Sequence, residues 1–194
     1  EGIETQISGV PAVQQRLSGM VERDKNVTTA ISLLLVFLIT FTLFQGSLTS
    51  SIMPLIVVGL SVVWLYGTMG YLGIPLSTLA GSVAALVIGI GIDYSVHILN
   101  TYRFHRRDNT IEEALSEAVG ETGVAIIATS VTTISAFMAF LSGMMPDMHR
   151  FGLIMSIGIG YALLFSFFLL PSVFVLEEKL MAKIHESVKW RHEF

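Results

Sequence analysis

Apolar residues along the chain gather into five long runs separated by short connections. The runs are approximately Thr28–Phe44, Ile52–Tyr71, Leu76–Leu99, Val124–Leu141 and Phe151–Val175. An α-helix rises 1.5 Å per residue, so about 20 apolar residues cross the hydrocarbon core of a bilayer. The pattern predicts an all-α polytopic membrane bundle of five transmembrane helices. Its punctuation agrees. Gly46, Gly73 and Gly143 sit in the predicted connections, and Pro54 and Pro75 near predicted helix starts, where a missing N–H is harmless. Pro171 falls near the end of the last run. Trp64, Tyr66 and Tyr71 crowd one end of the second, as interfacial aromatics do.

Other stretches alternate differently. Thr5–Val10 reads as a short strand tail. Pro11–Lys25 then reads as a polar lead-in helix with Val13, Leu17, Met20 and Val21 on one side. Thr110-Ile111-Glu112-Glu113 has the spacing of a capping box, and Ile111, Ala114, Leu115, Ala118 and Val119 repeat behind it at helical spacing. Leu176, Leu180, Ile184 and Val188 repeat likewise near the end. These amphipathic helices are expected to lie on the membrane surface. The expected organisation is residues 1–25 as the exit from an extracytoplasmic domain with a lead-in helix, 26–176 as the membrane domain, and 177–194 as a cytoplasmic amphipathic tail. The chain opens at Glu1 without a basic n-region, so it reads as a piece of something longer.

Composition sharpens the class. Hydrophobic residues make up 53% and charged residues 13%, with a mean hydropathy of +0.72. Soluble domains carry about 25% charged residues. A net charge of −4 and the lack of an extended basic patch argue against nucleic acid as a partner. No cysteine is present, which excludes disulfides and thiolate metal sites. Arg103, Arg106 and Arg107 follow the third run, and Lys179, Lys183, Lys189 and Arg191 follow the fifth. The positive-inside rule places loop 100–122 and the C-terminus in the cytoplasm of a cell-membrane protein. The opposing short loops hold Arg150 alone, while Arg16, Arg23 and Lys25 would belong to an exported segment.

Asp93 is the residue that points to chemistry. It lies within Gly89-Ile90-Gly91-Ile92-Asp93-Tyr94, near the cytoplasmic end of the third run. A carboxylate in such a segment costs roughly 2.5–3.5 kcal/mol on insertion scales, so it faces protein or water. Gly81, Ala85, Gly89, Asp93 and His97 recur every four residues and form one stripe. Small residues on a stripe admit a close neighbouring helix, so the stripe predicts that Asp93 enters a packed interface. Desolvation disfavours the charged form of a carboxyl, which suits a group that binds and releases a proton as access alternates. The plainer role is an interhelical hydrogen-bond donor. His97, one turn nearer the cytoplasm, either passes protons to Asp93 or is simply a polar residue at the membrane edge. Thr129, Thr132 and Thr133 on the fourth run either bond Asp93, help it hold a cation, or satisfy their own helix's carbonyls. Gly152, Ser156 and Gly160 form a small-residue packing ridge on the fifth run. The Phe165-Ser166-Phe167-Phe168 run reads as lipid-facing bulk.

Enzyme signatures are missing from the sequence. It has no Gly-x-x-x-x-Gly-Lys-Ser/Thr loop and no Gly-x-Ser-x-Gly elbow, and His192-Glu193 lacks the second His of a zinc helix. No cofactor is expected beyond a coupling ion, H⁺ or Na⁺.

The segment Gly89 to His97, with Tyr102-Arg103, Glu113-Ala114, Gly120-Glu121-Thr122-Gly123, Ser130 to Phe137 and Phe151-Gly152 through Pro171, closely resembles the resistance-nodulation-division superfamily. Within it, the similarity is to the branch of mycobacterial large membrane proteins, hopanoid transporters, and Patched and sterol-sensing relatives. The resemblance implies two six-helix halves, each with an extracytoplasmic domain after its first helix. This chain would supply the last five helices of one half. It further implies that Asp93 and Tyr94 form a proton-relay pair, with a second pair supplied by another half or subunit. The expected function is proton-driven export of lipids or other hydrophobic molecules. The alternative is a membrane module that binds lipid or sterol without pumping. A Sec-type export factor fits less well, because Asp93-Tyr94-Ser95-Val96 stands where Asp-x-Asn-Val is expected.

Overall fold

The computed structural model describes the backbone of residues 10–75 and 78–191, and side-chain surroundings over 19–21, 23–75 and 82–176. Five helices follow in order: α1 (Val10–Leu43), α2 (Leu48–Tyr71), α3 (Thr78–His105), α4 (Ile111–Met138) and α5 (Pro146–Arg191). A short 3₁₀ turn, Ala139–Ser142, extends α4. All five are long and apolar enough to cross a membrane. The protein is a multi-pass helical membrane bundle, as its hydropathy predicts.

Local chemistry sets the boundaries. After α1, Gln45 and Gly46 adopt positive φ, and the Gly46 N–H returns to the Phe41 carbonyl at 2.9 Å. The same Schellman closure ends α2, where Gly73 has a φ of 64° and the Ile74 N–H reaches the Met69 carbonyl. At the start of α4 the capping box forms as predicted: the Thr110 N–H donates to Glu113 Oε2 at 3.0 Å, and Thr110 Oγ1 accepts from the Glu113 N–H.

Three sequence expectations change here. The lead-in helix, the stretch after Thr110 and the C-terminal stretch are not separate surface helices. They run on as parts of α1, α4 and α5. Gly120 and Gly123 stand at the α4 junction without ending the helix, because an established helix adds residues at little cost. The strand tail lies outside the described residues apart from Val10, which opens α1. Pro54 and Pro171 sit inside α2 and α5 rather than at their ends.

Helix α3 is the hub and touches each of the other four, while α5 packs against α2, α3 and α4. Val83, Val87, Ile88 and Ile98 of α3 meet Ile154, Met155, Ile159 and Leu170 of α5 and Val57, Val58 and Leu65 of α2 in a buried core. Lipid tails are as apolar as these side chains, so close approach and dispersion hold such a core together. Glycines permit that approach. A Cβ at Gly91 would stand 2.8 Å from the Ala162 Cβ, and one at Gly158 would stand 2.5 Å from a Val87 methyl. Ser95 and Ser166, both fully buried, exchange a 3.0 Å hydrogen bond between α3 and α5. The Phe-rich run is thus not uniformly lipid-facing. Phe168 is exposed, Phe167 lies against Gly123, and Ser166 pins the core. The outward apolar residues of α1 (Ile31, Leu34, Leu35, Leu38) and α4 (Val124, Ile127, Val131) suit contact with membrane lipid.

Candidate functional site

Away from α5, α3 and α4 diverge around an open cavity of about 460 Å³. Gly89, Asp93, Tyr94 and His97 line it from α3, and Glu121, Thr122, Thr129 and Thr133 from α4. The structure therefore gathers Asp93, Tyr94, His97, Thr129 and Thr133 at one place. Thr132 is exposed outside this lining, and its hydroxyl donates to the Thr129 carbonyl at 2.9 Å.

The four-residue stripe on α3 lies differently from its predicted setting. Asp93, Gly89 and His97 are exposed and Ala85 is half-buried. A Cβ at Gly89 would meet nothing within 4 Å. The surroundings of Gly81 lie outside the described residues. Within one chain, then, the stripe opens outward instead of entering a packed interface. The close contacts between α3 and its neighbours fall at Gly91, two residues from the stripe, because helical twist turns that position about 200° away. On the α5 ridge, Gly152 is pressed against the Phe137 carbonyl oxygen and the Phe140 Cβ, and Ser156 is buried with its hydroxyl on the Gly152 carbonyl at 2.8 Å. Gly160 has open space around it.

Tyr94 is buried, with the Ser130 side chain beside it. Ser130 is itself fully buried and donates its proton to the Ile126 carbonyl at 2.7 Å. Tyr94 and Asp93 both line the cavity, the first buried and the second exposed. The threonine hydroxyls are spent similarly. Thr129 Oγ1 donates toward the Ala125 and Ile126 carbonyls at 3.0 Å, and Thr133 Oγ1 donates to the Thr129 carbonyl at 2.7 Å. Their remaining lone pairs are acceptors only. Such oxygens suit a protonated carboxyl or a small cation better than a bare carboxylate.

In the sequence Glu121 carries no assigned role, and Ser130 stands only as one of the hydroxyls of the fourth run. Glu121 stands in a four-residue register with Ala125, Thr129 and Thr133, and extending the α3 periodicity to α4 brings it out. Ser130 carries no such signal, since any of the five hydroxyls of the fourth run has equal standing until a tyrosine is seen against one.

Five helices long and apolar enough to cross a membrane define a polytopic membrane protein, and its third helix carries an exposed carboxyl next to a buried tyrosine. The chain belongs to the MMPL family, whose model matches residues 1–192. It is 33% identical over 189 residues to a membrane protein of Methanocaldococcus jannaschii, covering 97% of this chain and 48% of the relative. It is 26% identical to the Mycobacterium tuberculosis protein named "Probable transport protein MmpL12", over 88% of this chain and 15% of that one. With the hopanoid transporter HpnN of Burkholderia multivorans it shares 27% identity over 79% of this chain and 17% of the relative. The chain thus spans about half, or less, of the length of these relatives.

Proposed function

We propose that this chain is the transmembrane part of one half of a proton-motive-force-driven exporter of lipids or other hydrophobic molecules. It sits in the cell membrane with the α3–α4 connection and C-terminus in the cytoplasm. The observation that carries the proposal is the exposure of Asp93 on an open cavity between α3 and α4, beside the buried Tyr94. An uncovered carboxyl at this depth is costly, so the face is completed by a second half or a second subunit of the same transporter. Proton uptake at Asp93 removes a charge from that interface, and the two halves then pack differently. Extracytoplasmic domains convert the movement into displacement of a hydrophobic cargo. The names of MmpL12 and HpnN support transport and, for the latter, a lipid cargo. The Thr129 and Thr133 lone pairs also suit Na⁺, so the coupling ion is tested directly.

The test is transport in proteoliposomes holding the complete transporter, wild type against Asp93→Asn, with insertion and thermal stability matched. Loss of pH-gradient-driven transport in the folded variant is the expected result, and replacing the proton gradient with a sodium gradient should not drive the wild type. Transport that ignores both gradients and survives the substitution would leave a lipid- or sterol-binding module in place of a pump.

A further inference from the structure

Helices α3 and α4 are joined by a short connection and run antiparallel, each with a polar register facing the other. On α3 the four-residue series that holds Asp93 and His97 continues through Thr101 to His105. On α4 it runs Glu117, Glu121, Ala125, Thr129, Thr133. Asp93, His97 and Glu121 line the same cavity, and at its α3 C-terminal end the two registers meet. His105 Nδ1 lies 2.6 Å from Glu117 Oε2, and its Nε2 lies 3.2 Å from Glu121 Oε1. Nε2 is buried and has no aligned hydrogen-bond partner. Asn109 donates to the same Glu117 oxygen at 3.0 Å and is held in turn by Arg106, which donates to the Asn109 carbonyl.

A neutral imidazole has one N–H and one lone pair. Between two carboxylates, a neutral ring with its proton on Nδ1 turns the Nε2 lone pair toward an anionic oxygen. One further proton, on the ring or on Glu121, removes that repulsion. The groups around His105 leave this proton no other home. Glu117 and Glu121 face it from α4, with Asn109 and Arg106 in the connection behind, and the Phe104 ring meets it edge-on. Helix α5 reaches this end through Phe167 on Gly123 and Phe174 stacked on Tyr102. Arg103 and Arg107 line a separate cavity with Leu43, Phe44 and Gln45. The three donors His105, Glu117 and Glu121 are not arranged to hold a metal ion.

We propose that His105, Glu117 and Glu121 form a proton-exchange station between Asp93 and cytoplasmic water, reached through His97. The proposal deepens the function above and rests on Asp93 being the coupling carboxyl. A protonated Asp93 gives its O–H proton to one ring nitrogen of His97, one helical turn away, directly or through one water in the cavity. Side chains at that spacing have Cβ atoms about 5–6 Å apart. His97 releases the proton on its other nitrogen to Glu121. The cluster then holds it until Glu117 or Glu121, 48% and 61% exposed, delivers it to bulk water. Each step breaks one N–H or O–H bond and forms another, so charge and protons balance.

The test measures inward proton flux by the complete transporter in proteoliposomes, with lumenal pH varied on the cytoplasmic-facing side at fixed external pH. Glu121→Gln and His105→Asn are expected to cut flux at least about tenfold, the lower end of what a positioned proton-transfer group contributes. They should also displace the cytoplasmic pH profile, while Glu121→Asp retains its shape. A structural defect scales flux equally at every pH, so loss with an unmoved profile overturns the proposal. Wild-type flux in both variants overturns it as well, while Asp93→Asn still abolishes transport and the coupling site stands. Gradient-driven transport in Asp93→Asn would remove the coupling site and the station together. Should His105→Asn fail to insert, the solvent-facing Glu117→Gln takes its place with the same displaced profile expected.

Discussion

Gly89 and Gly91 stand two residues apart on α3, yet an added Cβ meets nothing at the first and the Ala162 Cβ at 2.8 Å at the second. Around Gly91 the helix is dry and closed. Val83, Val87, Ile88 and Ile98 are fully buried against α2 and α5, and the polar groups present, Ser95 and Ser166, satisfy each other. Around Gly89 the same helix is open and ionisable, with Asp93, His97 and Glu121 on one cavity. One face spends its small residues on packing within the chain. The other leaves Gly89 uncovered within this chain. The contrast teaches that a small residue in a membrane helix marks a close approach without saying to whom.

Substitutions can break this contrast, and their effects should fall in a definite order. Gly158→Leu attacks the closed face where Val87 leaves 2.5 Å for a Cβ, and it should lower unfolding stability in detergent by roughly 3 kcal/mol or more. Gly89→Leu, on the open face, should leave the stability of this chain within about 0.5 kcal/mol while weakening association with the other half. Crosslinking or native mass measurement of the complete transporter reads that second effect, and equal destabilisation by the two substitutions would erase the distinction drawn here. A double-mutant cycle on Ser95→Ala and Ser166→Ala should return a coupling of about 0.6 kcal/mol, the usual size of an interhelical hydrogen bond in a membrane protein. Ser130→Ala removes a buried hydroxyl beside Tyr94 and its bond to the Ile126 carbonyl, and should cost about 1 kcal/mol, with transport falling further than the loss of thermal stability accounts for. Smallest of all, Thr132→Val should leave transport and stability unchanged within about 0.5 kcal/mol, since its hydroxyl serves only its own helix outside the cavity. Transport lost in Thr132→Val would mean that the cavity boundary lies elsewhere when the transporter is assembled.

Much of this was legible beforehand. The five spans, the Thr110–Glu113 capping box and the turn at Gly73 are local matters of hydropathy, hydrogen-bond stereochemistry and permitted φ, and they appear in the structure as the sequence predicts. The surface helices were misjudged because amphipathicity says which face a helix covers, not whether it continues into the next span. Within this chain the Asp93 stripe faces outward, which its period alone does not say. Periodicity places residues on a common face but leaves the azimuth of that face free, and Gly89 and Gly91 are equally good candidates until a second helix is seen. His105, Glu117 and Glu121 lie 12 and 16 residues apart across a turn, where no single-helix period connects them.

By itself, then, the order of residues determined membrane residence, helix number and the presence of an ionisable residue at depth, because the bilayer imposes those constraints on every segment separately. Only tertiary packing decided which side of α3 is closed by α5, which hydroxyl lies beside Tyr94, and that His105 meets two carboxylates from α4. Those contacts depend on how helices rotate and cross, and the energies that choose among rotations come from neighbours distant in the chain.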